Sequence, residues 1–144
     1  MLRELVQGAR AAMERAYAPY SGFRVGAALR TRAGRTFVGC NVESASYGLS
    51  MCAERNAIAT AVANGESDFT QIVIVASTGE RTPPCGACRQ LLAEFCDDLE
   101  IVLVGKRRLE RTTLRDLLPR AFRAGNLVPP PVTNYSKPRS RRTK

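Results

Sequence analysis

With 144 residues, 44% of them hydrophobic, and no apolar run long enough to cross a bilayer, the chain has the size of one globular domain and neither a membrane span nor a wholly disordered composition. Five cysteines, an odd number with two in a close C-x-x-C pair, argue against a secreted disulfide framework and for metal or redox use in a reducing compartment. The formal charge of +9 invites a nucleic-acid reading, but Lys137, Arg139, Arg141, Arg142 and Lys144 place more than half of it in residues 129–144, which hold no acid.

Residues 2–16 read as a helix with Leu2, Leu5, Val6, Ala9 and Met13 on one face, ended by Ala18-Pro19. Its mixed-charge start lacks the pattern of a secretory signal, so the expected location is cytoplasmic. Tyr20-Ser21-Gly22-Phe23 is a turn into a strand over 25–31, and Arg32-Ala33-Gly34-Arg35 returns the chain into a strand over 36–43, making a hairpin. Cys40 falls in that second strand, where a buried free thiol is the common finding. Asn41 and Glu43 lie two apart, which on a strand places both side chains on one face. An amide beside a carboxylate can grip a pair of vicinal hydroxyls.

Next comes Ser50-Met51-Cys52-Ala53-Glu54-Arg55, then the alanine-rich run 57–63, which lacks strand alternation and predicts a helix over 52–64 stopped at Asn64-Gly65. Residues 71–76 form a continuous β-branched run, as expected of a strand buried on both faces. Pro83-Pro84 blocks helix before Cys85, and an amphipathic helix follows to about Cys96. A buried strand over 101–104, a shorter strand within 107–113 and a short helix over 113–118 complete the pattern. Strands alternating with helices predict an α/β layered domain over residues 1–128. Ligands in such sheets bind beyond the carboxyl ends of the strands, which is where both cysteine-bearing helices begin. Residues 129–144, proline-rich and basic, have too few apolar residues to fold alone and are expected to be a disordered tail. A nucleic-acid-binding arm is the lesser reading, because Tyr135 is its sole stacking aromatic.

The cysteines carry the chemistry. Each cluster opens a helix, whose N-terminal partial positive charge favours the thiolate, the form that binds metal. A structural zinc takes four protein ligands, whereas a catalytic zinc keeps three and leaves one position for water. Here a fourth ligand is hard to find. The chain has no histidine, and Cys96 lies eight residues past Cys88, about 12 Å along the same helix. Cys52, Cys85 and Cys88 with a neighbouring non-ligand Glu54 therefore favour one catalytic Zn²⁺ per chain. Two rivals stay open: a thioredoxin-like redox pair at Cys85 and Cys88, which leaves Cys52 and Glu54 unexplained, and a structural zinc module closed by Cys40.

Cys52-Ala53-Glu54 followed by Pro84-Cys85-x-x-Cys88 resembles the zinc-dependent deaminase signature, in the all-cysteine form of small tetrameric cytidine deaminases. The resemblance extends over five ordered motifs between residues 2 and 128. Besides Cys52-Ala53-Glu54-Arg55 and Pro84-Cys85-Gly86-x-Cys88-Arg89-Gln90, the other three are Tyr20-Ser21-x-Phe23-x-Val25-Gly26-Ala27-Ala28-Leu29, Gly39-x-Asn41-Val42-Glu43 and Leu117-Leu118-Pro119-x-Ala121-Phe122. It implies a three-layer α/β/α fold around a mixed, roughly five-stranded sheet. It also implies hydrolytic deamination of cytidine and 2′-deoxycytidine in pyrimidine salvage, with Cys52, Cys85 and Cys88 as zinc ligands and Glu54 as proton shuttle. Asn41 and Glu43 would hold the ribose and Phe23 would pack on the pyrimidine. Ala45, Tyr47 and Phe122 would reach a neighbour's active site in a homotetramer. Ser44 departs from the asparagine usual in the family at that place. Three thiolates leave the zinc centre net negative, which a nearby cation or hydrogen-bond donor should offset; Arg55 is the first candidate and Arg89 the second. A carboxylate near the sugar and no phosphate-cradling loop point to a nucleoside substrate rather than a nucleotide. Another aminopyrimidine nucleoside, or single-stranded nucleic acid reached through the basic tail, is the alternative substrate.

Overall fold

The computed structural model describes residues 1–127; the tail expected over 129–144 lies outside them. Five strands form one mixed sheet: β1 (Val25–Thr31), β2 (Thr36–Cys40), β3 (Phe69–Ala76), β4 (Glu100–Val104) and β5 (Leu109–Thr113), in the order β2-β1-β3-β4-β5. Only β3 and β4 run parallel; β1 is antiparallel to β2 and to β3, and β4 to β5. The parallel pair is the one joined by a helix, α3 (Gly86–Phe95), as a parallel connection requires.

Strict alternation along the strands supplies both layers. Leu29, Phe37, Ile72, Ile74, Ile101 and Leu103 face α2 (Ala53–Ala63) and α3, while Ala28, Val73, Val75, Val102 and Val104 face α1 (Leu2–Glu14) through Leu5 and Ala9. The result is the expected α/β/α sandwich. Strands β3 and β4, covered on both sides, read in sequence as unbroken apolar runs for that reason. A final helix, α4 (Leu114–Leu117), begins with a capping box in which the Thr113 hydroxyl accepts from Asp116 N and the Asp116 carboxylate accepts from Thr113 N.

One boundary departs from the sequence reading in a way that matters. The second strand stops at Cys40 instead of continuing to Glu43, and residues 41–43 cross over to meet other loops. Val42 forms bridges to Tyr17 on one side and Met51 on the other. Asn41 and Glu43 are thus not neighbours on a strand face; each is held by its own set of loop contacts. Because β1 starts where β3 ends, with Val25 opposite Ala76, the loop before β1, the segment after β2 and the loop after β3 gather at one edge of the sheet.

Candidate active site

Cys52 and Cys85 are the N-cap residues of α2 and α3, just outside the helices rather than within their first turns, and Cys88 is the third residue of α3. Neither cap sulfur takes a capping hydrogen bond from the backbone of its own helix. The three sulfurs lie within 4.8 Å of one another, with 3.8 Å between Cys52 and Cys85 and 3.6 Å between Cys85 and Cys88. Tetrahedral zinc with bonds of about 2.3 Å requires sulfurs about 3.8 Å apart, so the donor set fits that ion in spacing and in chemistry. Among the described residues the cluster has three members. Cys40 is half-buried with its carbonyl held by Asn56 Nδ2 at 2.8 Å, and Cys96 is buried beneath β3 with its thiol near Phe69 O. Neither closes the cluster, as a structural zinc site would require.

The electrostatics of the cluster are those of groups competing for one proton. The Cys52 thiol is lowered to about 5, chiefly by a hydrogen bond from Cys88, with Cys85 and Arg55 adding to it against the cost of burial. Cys88 is pushed up as the donor of that bond, and by burial and the charge of Glu54. Glu54, second residue of α2, is 5% exposed, and burial raises its carboxyl above the ordinary range while the Cys52 charge adds to the rise.

The two arginines differ. Arg55 donates from Nη2 to Ser50 O at 2.9 Å, its charge and hydrogen bond act on Cys52, and its buried Nε has no hydrogen-bond partner. Arg89 spans from Pro84 O at 2.8 Å to Leu117 O at 3.0 Å, tying the loop before Cys85 to the end of α4.

A cavity of about 450 Å³ opens beside Cys52, lined among others by Phe23, Asn41, Glu43 and Tyr47. Asn41 is braced by Val25 N, which donates to Oδ1 at 2.8 Å, and by Phe23 O, which accepts from Nδ2 at 2.8 Å. Glu43 accepts from Tyr20 N at 2.9 Å, from Ser21 N at 3.2 Å and from the Ser21 hydroxyl. Tyr20 and Tyr47 meet edge to face, 6.0 Å between ring centres, and both line the cavity. Tyr20, Ser21, Ser50 and Met51 line it without having been singled out from sequence. Tyr20 and Ser21 stood in a motif and Ser50 and Met51 beside one, but their roles did not show, since Tyr20 and Ser21 meet Glu43 across 22 or 23 residues and Ser50 and Met51 meet Ser44 and Val42 across loops. Ala45 is exposed, Tyr47 is 76% exposed, and Phe122 is 58% exposed on a separate surface near Arg120 and Asn126. The described chain does not bring Phe122 to the cavity.

With this geometry in place, comparison with known proteins is informative. The pattern of the cytidine and deoxycytidylate deaminase zinc-binding region matches residues 1–104. A cytidine deaminase of Halalkalibacterium halodurans is 45% identical over 129 residues, covering 88% of this chain and 95% of the relative. One from Sporosarcina psychrophila is 43% identical, covering 84% and 90%. The crystal structure of a cytidine deaminase from Burkholderia pseudomallei superposes with a TM-score of 0.80 at 48% identity, covering 85% of this chain and 99% of that one.

Proposed function

The chain belongs to the cytidine and deoxycytidylate deaminase family, and we infer from that membership and from the site that it hydrolyses cytidine and 2′-deoxycytidine to the corresponding uridines and ammonia. The observation that carries this reading is the convergence of Cys52, Cys85 and Cys88 with the buried Glu54 two residues from Cys52, which itself lines a nucleoside-sized cavity. Held by the three sulfurs, zinc would supply a Lewis acid that brings the pKa of water toward neutrality.

The chain's own residues do the rest. Burial makes the charge on Glu54 costly, so its carboxylate takes a proton readily, accepting it from the attacking water. It passes that proton to ring N3, then takes the water's second proton from the hydroxyl left on C4, as the carbonyl forms there, and gives it to the departing amine. Water is consumed and ammonia released, with no change of oxidation state. Phe23 packs against the pyrimidine, and Asn41 and Glu43 receive the sugar hydroxyls, preorganised by the contacts they already make to the chain. Arg55 offsets the negative charge of three thiolates, while the bonds of Arg89 support its being a clamp that sets the approach of Cys85. Exposed Ala45, Tyr47 and Phe122 are offered to neighbouring subunits of a homotetramer, where each site would be completed. No helix among the described residues is long and apolar enough to cross a membrane, in keeping with action on a diffusible nucleoside.

The test is cytidine turnover, followed by ultraviolet absorbance, in zinc-quantified wild type beside Glu54→Gln. Turnover by the wild type and a loss of at least about 10³-fold in the zinc-replete variant support the assignment. A variant that retains wild-type turnover removes Glu54 from the chemistry, and a zinc-loaded wild type inert toward both nucleosides overturns the substrate.

A further inference from the structure

We propose that Ser21 is the positioning residue that aims Glu43 at the sugar. The inference rests on the reading of the cavity as a nucleoside site and names a determinant within it. The Ser21 hydroxyl has one proton and two acceptor positions. Phe23 N donates to its oxygen at 3.0 Å, so the proton is free to be given, and the carboxylate of Glu43, acceptor-only when ionised, receives it on Oε1. The same residue's backbone N–H and that of Tyr20 both donate to Oε2. Glu43 N meanwhile donates to Tyr17 O at 2.8 Å, so main chain and side chain grip the same turn.

Counting acceptor positions sharpens the consequence. A carboxylate offers about four, and Tyr20 N, Ser21 N and the Ser21 hydroxyl occupy three, two of them on Oε2. One remains, on Oε1, the atom that Ser21 Oγ holds. Glu43 can therefore take a single sugar hydroxyl, at a place fixed by Ser21, and is not free to swing between two. These hydrogen bonds also hold its carboxyl below the ordinary range, so that the acceptor stays charged in the working state. Ser21, Phe23 and Glu43 all line the same cavity.

The experiment compares Ser21→Ala and Ser21→Thr with the wild type on cytidine and on 2′,3′-dideoxycytidine, all at measured zinc content. Loss of the hydroxyl should raise KM for cytidine by about ten-fold or more, the size of one hydrogen bond to a charged group, with kcat changed less than about two-fold. The dideoxy substrate, which lacks the 2′ and 3′ hydroxyls that Glu43 would receive, should lose less than about two-fold in kcat/KM. Threonine, which keeps the hydroxyl, should restore the cytidine KM. An equal loss on both substrates, or a kcat loss at unchanged KM, would reduce Ser21 to a structural residue, and an unaltered alanine variant would sink the proposal outright. Wild-type protein inert toward cytidine overturns the underlying assignment instead, so the two failures are distinguishable.

Discussion

Gly39 in β2 sits where the sheet meets the active-site helix. A β-carbon built there would lie 2.4 Å from Ala53 O, 2.4 Å from Ala57 N and 2.9 Å from Asn56 C, all main-chain atoms of α2. No side chain can swing aside, so Gly39→Ala must move the helix by about 1 Å to reach ordinary contact. Overpacking of this kind costs about 1 to 3 kcal/mol, roughly 4 to 12 °C in Tm for a domain of this size. The more telling effect is on chemistry, because α2 carries Cys52 at its cap and Glu54 as its second residue. A displacement of about 1 Å in a reacting group can cost about 10²-fold in kcat. Gly26→Ala provides the control. Its β-carbon would meet Ala9 O at 1.9 Å and Met13 N at 2.6 Å, pushing on α1 across the opposite face of the sheet. That variant should lose at least as much stability but keep kcat per zinc-loaded chain within about two-fold. The assay is thermal unfolding beside turnover normalised to bound zinc, below both unfolding midpoints. A Gly39→Ala protein with normal kcat, or a Gly26→Ala protein with the same kcat loss, would refute the claim that β2 sets the position of the catalytic helix.

Three other outcomes follow from the same contacts. Arg55→Gln should weaken zinc binding or turnover about 10- to 100-fold through loss of the charge beside Cys52, whereas Arg89→Gln, losing its bonds to Pro84 O and Leu117 O, should show chiefly as a lower Tm; chelator competition and calorimetry separate the two. Asp116 is held below its ordinary 3.8 by the Thr113 hydroxyl and backbone, so the stability it lends is complete above that value and is lost as pH falls through the depressed one; the Tm gap between wild type and Asp116→Asn should be constant from neutral pH down to about 5 and close below it. Deleting residues 129–144 should leave cytidine turnover unchanged, whereas loss of affinity for single-stranded nucleic acid, and of the salt dependence of that binding, on truncation would instead favour the polynucleotide alternative.

What could be read from the sequence was what spacing encodes. The cysteine and glutamate motifs name the zinc-site residues because metal chemistry admits few residue types, and the two helix starts follow from the proline pair and the alanine-rich run. Strand β1 occupies the residues expected, and β3 and β4 begin one or two residues earlier, differences confined to their ends. The segment 41–43 was misjudged because alternation looks the same in a strand and in an extended crossover; only the bridges to Tyr17 and Met51 tell them apart. The bracing of Asn41 by β1, of Glu43 by Ser21, and the span of Arg89 from Pro84 to Leu117 join loops 16 to 28 residues apart or more, and no periodicity records them. Gln90, which donates to Phe122 O at 2.7 Å, belongs to the same class: its place in a motif marked it, but its partner lay beyond sequence reasoning.

The central claim is that three cysteines hold the ion that makes deamination of cytidine feasible. Its most direct test is a zinc titration of chelator-stripped protein with ammonia and uridine measured at each step. Turnover should be absent without metal, rise linearly, and break at one zinc per chain with one ammonia formed for each uridine. Undiminished turnover in stripped protein, or full zinc loading that leaves cytidine intact, would contradict it.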